Sequence, residues 1–310
     1  FNPDGTKMFI AGSQGNDINE YNLTTGYDIS TASFVQSFTI TQESQITDVK
    51  FNNDGTKMFV LGYNQDSIGE YALSSAFNVS TASYTDSFSV ASQEDFPMGM
   101  FFNPLGTFLF VTGESADKVF TYNLSAFDIS TASYARQFSV ASQDLVPQAL
   151  FFNSDGTKMF VLGKQFGKVY QYNFPIVDAY NTNSASYSGT SFSIYSQEIN
   201  GRGLAFNTDG TKMFIVGNDQ DKVFQYSVGS NLTPSGYQPV HTTTSTDSTY
   251  WTDINSMTAN QAAGSGNIYY AISTDDRTTW GIVDNTSGER DIVRNNGGTW
   301  QYNSNGTYAS

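Results

Sequence analysis

The strongest constraint on the fold of this chain is a segment of a dozen residues that occurs five times. "FNPDGTKMFIAG" opens the sequence, and near-copies begin at Phe51, Phe102, Phe152 and Phe206, about 50 residues apart. A tyrosine follows each of these anchor phenylalanines after 20 residues, whereas the rest of each repeat varies slightly in length. Repeats of about 40–50 residues that are rich in strand-forming residues are typical of propeller blades.

Each repeat divides into four expected strands. A short apolar strand such as "QALFF" (148–152) leads through an Asn-x-Asp-Gly turn, whose glycine permits a positive φ, into "TKMFVLG". Strands such as "KVFQYSV" (222–228) and "YARQFSV" (134–140) complete the set. Sheets that are apolar on both faces must be covered by neighbouring sheets. We therefore predict an all-β fold: a β-propeller with five detectable four-stranded blades.

The number of blades stays open at this level. The chain begins at Phe1, inside a repeat and without Met, so the N-terminus is expected to be incomplete and further blades upstream are one possibility. The alternative is closure by residues 235–257, since "TDINSMTAN" at 252–260 resembles "TDVKFNNDG" at 47–55.

The repeat stops after Val228, and the composition then changes. We predict a propeller over 1–234, a Ser/Thr-rich linker or propeller-closing strand over 235–265, and a small antiparallel β module over 266–310 for anchoring or oligomerisation. The module is inferred from the runs "IYYAIS", "TTWGIVD", "RDIVRN" and "TWQYN", which are separated by turn residues.

Composition excludes several functional classes. The 14 Lys and Arg residues against 29 Asp and Glu residues give a net charge of −15. This charge argues against sequence-independent binding of nucleic acid and against binding to anionic membranes. The absence of cysteine removes disulfides and thiolate metal sites. His241 is the single histidine, so a Ser–His–acid triad or a His-ligated zinc site is not expected.

The predicted topology brings two sets of loops to one face: the loops that enter each blade and the loops between its second and third strands. The acidic residues of these loops are our candidate ligand-binding site: Glu43, Glu94, Asp144, Glu198, Asp66, Asp117 and Asp221. Such a ring of oxygens could bind a divalent cation such as Ca²⁺ or a glycan. The alternative, which we weigh more heavily, is that they are solvated loop residues copied with the repeat. No catalytic residue, resident metal or cofactor is predicted.

The repeat "FNxDGTKMFVLG", with its "DISTAS" crossing, resembles β-propeller repeats of marine bacteriophage and bacterial surface proteins and is broadly similar to YVTN- and NHL-type propellers. The tail, "RDIVRNNGGTWQYNSNGTY", resembles a segment near the ends of phage structural proteins. Together the resemblances imply a virion surface component.

On this basis we expect a non-enzymatic virion surface or structural protein, such as a tail fibre, head fibre or decoration protein. It would lie on the virion surface or be extracellular, bind other virion or surface proteins, form a homo-oligomer, and present a loop face to a host glycan. Alternatives are a secreted carbohydrate-binding lectin or polysaccharide-active propeller enzyme, and a surface-layer subunit.

Overall fold

The computed structural model describes residues 1–228 and, beyond them, the backbone of four short strands. The chain divides into two compact units, Phe1–Thr242 and Thr243–Ser310. The predicted linker (235–265) and the echo at 252–260 lie outside the described residues, and the predicted domain boundaries remain predictions.

The first unit contains five antiparallel sheets, which are the blades of a propeller. Blade 1 comprises β1 (Lys7–Gly12), β2 (Asp17–Leu23) and β3 (Ala32–Thr39), and blade 2 comprises β4 (Ile46–Phe51), β5 (Lys57–Gly62), β6 (Ser67–Leu73) and β7 (Ala82–Ser89). Blade 3 comprises β8 (Pro97–Phe102), β9 (Phe108–Gly113), β10 (Lys118–Ser125) and β11 (Asp128–Ser139). Blade 4 comprises β12 (Pro147–Phe152), β13 (Lys158–Gly163), β14 (Lys168–Asn173) and β15 (Ser186–Ser193), and the described part of blade 5 comprises β16 (Gly201–Phe206), β17 (Lys212–Gly217) and β18 (Val223–Ser227). The all-β propeller prediction is confirmed.

Short 3₁₀ turns precede the outermost strands of blades 1, 2 and 4, at Ile29–Thr31, Val79–Thr81, Ile176–Asp178 and Thr182–Ser184. In the second unit, β19 (Tyr270–Ile272), β20 (Gly281–Asp284), β21 (Asp291–Asn296) and β22 (Thr299–Gln301) pair sequentially into one antiparallel sheet, as predicted for the C-terminal module.

Aromatic contacts between blades close the ring with five blades. Each anchor phenylalanine packs on a phenylalanine of the preceding blade, which lies in β1 in blade 1 and in the second strand in blades 2–5. The ring centroids are separated by 4.3 Å for Phe51–Phe9, 4.5 Å for Phe102–Phe59, 4.4 Å for Phe152–Phe110 and 4.8 Å for Phe206–Phe160. Phe1 makes the same contact with Phe214 of blade 5, at 4.6 Å. The recurrence of these residues therefore has a physical cause, because each pair fills one interface of the ring.

The repeated Asn-x-Asp-Gly turn is built from its own side chains. The Asn52 side chain accepts from Lys57 N at 2.9 Å, and Asp54 Oδ1 accepts from Thr56 N at 2.9 Å. Gly55 has φ 72°, and a Cβ at this position would overlap the ring of Phe77. Only glycine satisfies both the conformation and the close approach.

Among residues 1–228 and the four later strands, no helix is long and apolar enough to cross a membrane.

Candidate ligand site at the channel mouth

The two sets of loops predicted to share a face do lie together. In blade 2, for example, Ser44 N donates to the side-chain oxygen of Gln65 at 2.9 Å, which joins the entering loop to the β5–β6 loop. Four of the predicted site residues belong to the entering loops and are almost fully buried, with exposures of 1–4%: Glu43, Glu94, Asp144 and Glu198.

Most of these buried carboxylates bind backbone groups of the neighbouring loop. Glu94 accepts hydrogen bonds from the amides of Phe96 (3.1 Å), Ser115 (2.9 Å) and Ala116 (3.3 Å). Asp144 and Glu198 make the same three kinds of contact in blades 4 and 5. These three carboxylates therefore join two loops by hydrogen bonds. Their role in ligand binding remains a prediction.

Glu43 differs from its counterparts. Its Oε1 accepts from the Ser67 hydroxyl, while Oε2 is buried without a hydrogen-bond partner among the described residues. Burial raises the pKa of the Glu43 carboxyl, and the bond from Ser67 offsets this only in part. Glu43 is therefore the least well satisfied of the four carboxylates.

The remaining predicted residues, Asp66, Asp117 and Asp221, occupy turns. Each has a positive φ, between 47° and 53°, immediately before or near the third strand of its blade. Asp and Asn tolerate this left-handed conformation better than most residues. In the part of the chain that the structure describes, no group of three or more acidic or histidine side chains is placed to hold a metal ion. The predicted Ca²⁺ site thus gains no support from this geometry.

A different set of residues converges on the mouth of the channel. The innermost strand of each of blades 2–5 has a register shift near its start, and one residue is bulged there. These bulged residues are Thr47, Met98, Gln148 and Arg202. Bulges re-aim side chains and recur beside functional sites. The four copies carry four different side chains, unlike the anchors around them.

The position after the glycine that ends β1, β5, β9, β13 and β17 also varies. It is occupied in blades 1–5 by Ser13, Tyr63, Glu114, Lys164 and Asn218. Packing between equivalent blades explains why the anchor residues repeat. It does not explain why the bulged position and the position after the glycine differ in every copy.

Four residues at these variable positions meet across blades 3, 4 and 5. Arg202 Nη1 donates to Gln148 Oε1 at 2.6 Å and to Glu114 Oε1 at 3.2 Å. Gln148 Nε2 donates to the same Glu114 oxygen at 2.9 Å, and Lys164 Nζ lies 3.5 Å from it. Met98 lies beside the guanidinium, with Sδ 4.0 Å from Nη1. We call Glu114, Gln148, Lys164 and Arg202 the mouth cluster.

The mouth cluster carries an excess of positive charge. Burial disfavours the ionised form of Glu114, but the hydrogen bond from Gln148 and the charges of Lys164 and Arg202 outweigh it, so the Glu114 pKa lies below its ordinary value. One carboxylate therefore faces two cations, on a chain whose net charge is −15.

A cavity of about 1270 Å³ opens beside the cluster, and Thr47, Tyr63, Met98, Glu114 and Arg202 form part of its wall. It extends along β1 of blade 1, where Met8, Ile10 and Ala11 line it. The three charged side chains of the cluster are partly exposed: those of Lys164 and Arg202 are each 31% accessible and that of Glu114 is 23% accessible, whereas Gln148 is buried. The cluster is thus open to a small molecule.

The sequence-based site prediction missed the mouth cluster because it followed the residues that repeat. The signal that could have found it is the opposite one: two positions of the otherwise repeated sequence carry a different residue in every repeat.

Comparison with known proteins adds fold similarity at low identity. No family description matches the sequence, and no curated protein matches it. A putative 6-phosphogluconolactonase from Bacteroides uniformis is similar in structure, with 12% identity, a TM-score of 0.46, and coverage of 96% of this chain and 80% of that one. A putative 6-phosphogluconolactonase from Bacteroides fragilis has 14% identity, the same TM-score and the same coverage. The periplasmic gluconolactonase of Pseudomonas aeruginosa has 13% identity and a TM-score of 0.44, and covers 62% of this chain and 52% of its own.

These names correct the functional prediction made from the sequence. The prediction of a non-enzymatic virion surface protein is contradicted by these names, which are those of lactonases, although a likeness at these TM-scores shows the fold alone. At such identities and TM-scores, we transfer no catalytic residue or substrate from them to this chain.

Proposed function

We propose that this protein is an enzyme that binds a small anionic substrate at the mouth cluster and hydrolyses an ester there, with lactones as the first class to test. The observation that carries the proposal is the convergence of Arg202, Gln148 and Glu114 from three blades at positions that differ in every repeat.

Anion binding follows from the charges. Arg202 and Lys164 both contact the same oxygen of Glu114, so the two cations flank one point at the channel mouth. Guanidinium and ammonium groups donate charge-assisted hydrogen bonds to carboxylate and phosphate oxygens. A substrate anion would be drawn to this point from an otherwise acidic surface.

The same groups suit ester hydrolysis. The ionised Glu114 accepts a proton from a water molecule, whose oxygen bonds to the ester carbonyl carbon. The carbon–oxygen bond to the leaving oxygen then breaks, and that oxygen takes the proton from Glu114. Arg202 and Lys164 stabilise the oxyanion that forms between these steps. The lactonase names of similar structures agree with this reaction class, but the proposal rests on the side chains.

The test is titration of the acid released from five- and six-membered lactones, with and without a phosphate or carboxylate group, at constant pH. Glu114→Gln should lower kcat by a factor of about 100 or more, as expected for loss of a general base. Arg202→Gln should raise KM for the anionic lactones more than for the neutral ones. Tyr84→Ala, on the outermost strand of blade 2, is the control and should act like the wild type. Absence of hydrolysis above the buffer rate, or equal rates for Glu114→Gln and wild type, would refute the proposal.

Membership in the YVTN- or NHL-type propellers, extracellular localisation, homo-oligomerisation and binding of a surface glycan remain proposals from the sequence.

A further inference from the structure

Four large apolar side chains are exposed on the loops of blade 4 and at its boundary with blade 5. Leu145, Phe166, Tyr195 and Ile199 have exposures of 45–58%, and we call them the apolar rim. Leu145 and Ile199 correspond to Ser44 and Asp95 in other blades.

The other two rim positions are also small or polar elsewhere. Phe166 corresponds to Gly15, Gln65, Ala116 and Gln220, and Tyr195 corresponds to Thr41, Ala91 and Ala141. The rim is therefore a local departure from the repeat, as the mouth cluster is.

Contacts on the β13–β14 loop bring three of these residues together. Leu145 N donates to the side-chain oxygen of Gln165 at 3.2 Å, next to Phe166. A Cβ on Gly167, the residue after Phe166, would lie 3.3 Å from the ring of Tyr195. Leu145 and Tyr195 thus flank the segment that carries Phe166.

The rim borders the mouth cluster. Phe166 is two residues after Lys164, Leu145 is three residues before Gln148, and Ile199 is three residues before Arg202. Three residues span at most about 10 Å of extended chain. The apolar rim therefore begins within about 10 Å of Lys164 and Arg202 along the chain, a distance that a small molecule can span.

We infer that the rim binds an apolar substituent of the anionic substrate, so that the preferred substrate is an amphiphilic anion with an alkyl or aryl group. This inference rests on the proposed function and names its substrate class. Charge supports an anionic ligand, because the rim lies beside Lys164 and Arg202. The β13–β14 loop is followed by Lys168, and the loop itself contains no acidic residue. An apolar group lying on the rim would place its anionic end at these cations.

The test is calorimetric titration of the protein with methyl, butyl and hexyl phosphate below their aggregation limits. Wild-type affinity should rise about two- to fourfold for each methylene that the rim covers. Phe166→Gln and Tyr195→Ala introduce the residues of sister blades. They should abolish this dependence on chain length and leave methyl phosphate affinity unchanged. Tyr84→Ala should retain the full dependence.

The outcomes separate the two proposals. If methyl phosphate binds but chain length has no effect, or if the rim variants keep the wild-type dependence, the inference is overturned and the proposed function stands. If no phosphate binds, the proposed function fails and the inference fails with it. Concentration-dependent dimerisation that Phe166→Gln abolishes would show that a second copy covers the rim, which would also overturn the inference.

Discussion

The ammonium group of Lys212 lies 2.8 Å from the backbone carbonyl oxygen of Tyr27, a residue 185 positions earlier in the chain. Lys57 makes the equivalent contact with Phe127, at 2.9 Å, between blades 2 and 3. The interface between the last and first blades therefore uses the same bond as an interior interface.

This equivalence predicts that the closing interface is as important for stability as an interior one. Phe214→Ala should lower the free energy of unfolding by about 3–5 kcal/mol, as expected for a buried phenylalanine, and Phe160→Ala should cost a similar amount. Urea unfolding of both variants measures the two losses. A loss for Phe214→Ala less than half of that for Phe160→Ala would mean that the ring is not closed there.

In blade 3 we predict that Arg136 compensates for the lysine that Phe108 replaces. Phe108 stands where the other blades have lysine, and Arg136 lies over its ring at 5.3 Å and donates to the carbonyl of Tyr180 at 3.2 Å. Arg136→Gln should therefore destabilise the protein by about 1–3 kcal/mol, because the Tyr180 carbonyl loses a charged donor.

Adding Phe108→Lys to Arg136→Gln supplies a lysine at the position from which Lys57 of blade 2 reaches the Phe127 carbonyl. Blade 3 has Thr121 in place of the Glu70 that Lys57 also contacts. The double variant should regain part of the lost stability in urea unfolding, because the new lysine can donate to the Tyr180 carbonyl. If it is less stable than Arg136→Gln alone, the two arrangements are not equivalent.

The buried carboxylates should respond differently to loss of charge. Glu94→Gln removes a charged acceptor from three backbone amides and should cost about 1–3 kcal/mol at pH 7. Glu43→Gln should cost less or stabilise, because it relieves a carboxylate that burial disfavours.

The pH dependence of the Glu43 variant has a definite sign. The folded-state pKa of Glu43 is raised, so the folded protein binds this proton more tightly than the unfolded chain. The stabilisation that this carboxyl contributes to the wild type is then lost as the pH rises from its pKa in the unfolded chain to its higher pKa in the folded protein. The stability of Glu43→Gln relative to wild type should be greatest at pH 7 and should shrink at about pH 4, near the unfolded pKa of glutamate. Urea midpoints at both pH values measure it, and a constant difference would contradict the assignment.

The pH–rate profile tests the proposed base. Glu114 must be ionised to accept a proton, and its pKa lies below the ordinary range despite its burial. The acid limb of kcat/KM, which reports the free enzyme, should therefore lie below the ordinary pKa of glutamate, about 4.3. Arg202→Gln removes one of the neighbouring positive charges and should move this limb to higher pH. An acid limb that does not move in the variant would show that another group controls it.

The sequence predicted much of the fold but not the candidate site. The anchor phenylalanines and Gly55 repeat because identical interfaces and identical turns need them, so a pattern of repeats reveals them directly. Ring closure depends on the Phe1–Phe214 contact between distant parts of the chain, and local patterns carry no information about it.

Burial explains what the sequence missed among the carboxylates. The topology placed Glu94 and its counterparts on the correct face, but their side chains turn under the loops toward backbone amides. The direction of a loop side chain is not encoded in loop composition. The bulge at Arg202 was likewise hidden, since one extra residue in a strand leaves no mark on the period of the repeat.

Calorimetric titration with methyl phosphate at low and high salt, on the wild type and on Arg202→Gln, tests the central claim that the mouth cluster is an anion site. We predict binding that weakens with salt, and a loss of about tenfold or more in the variant, the usual effect of removing a charged hydrogen bond. Absence of binding to the wild type, or equal affinity for the wild type and Arg202→Gln, would contradict the account.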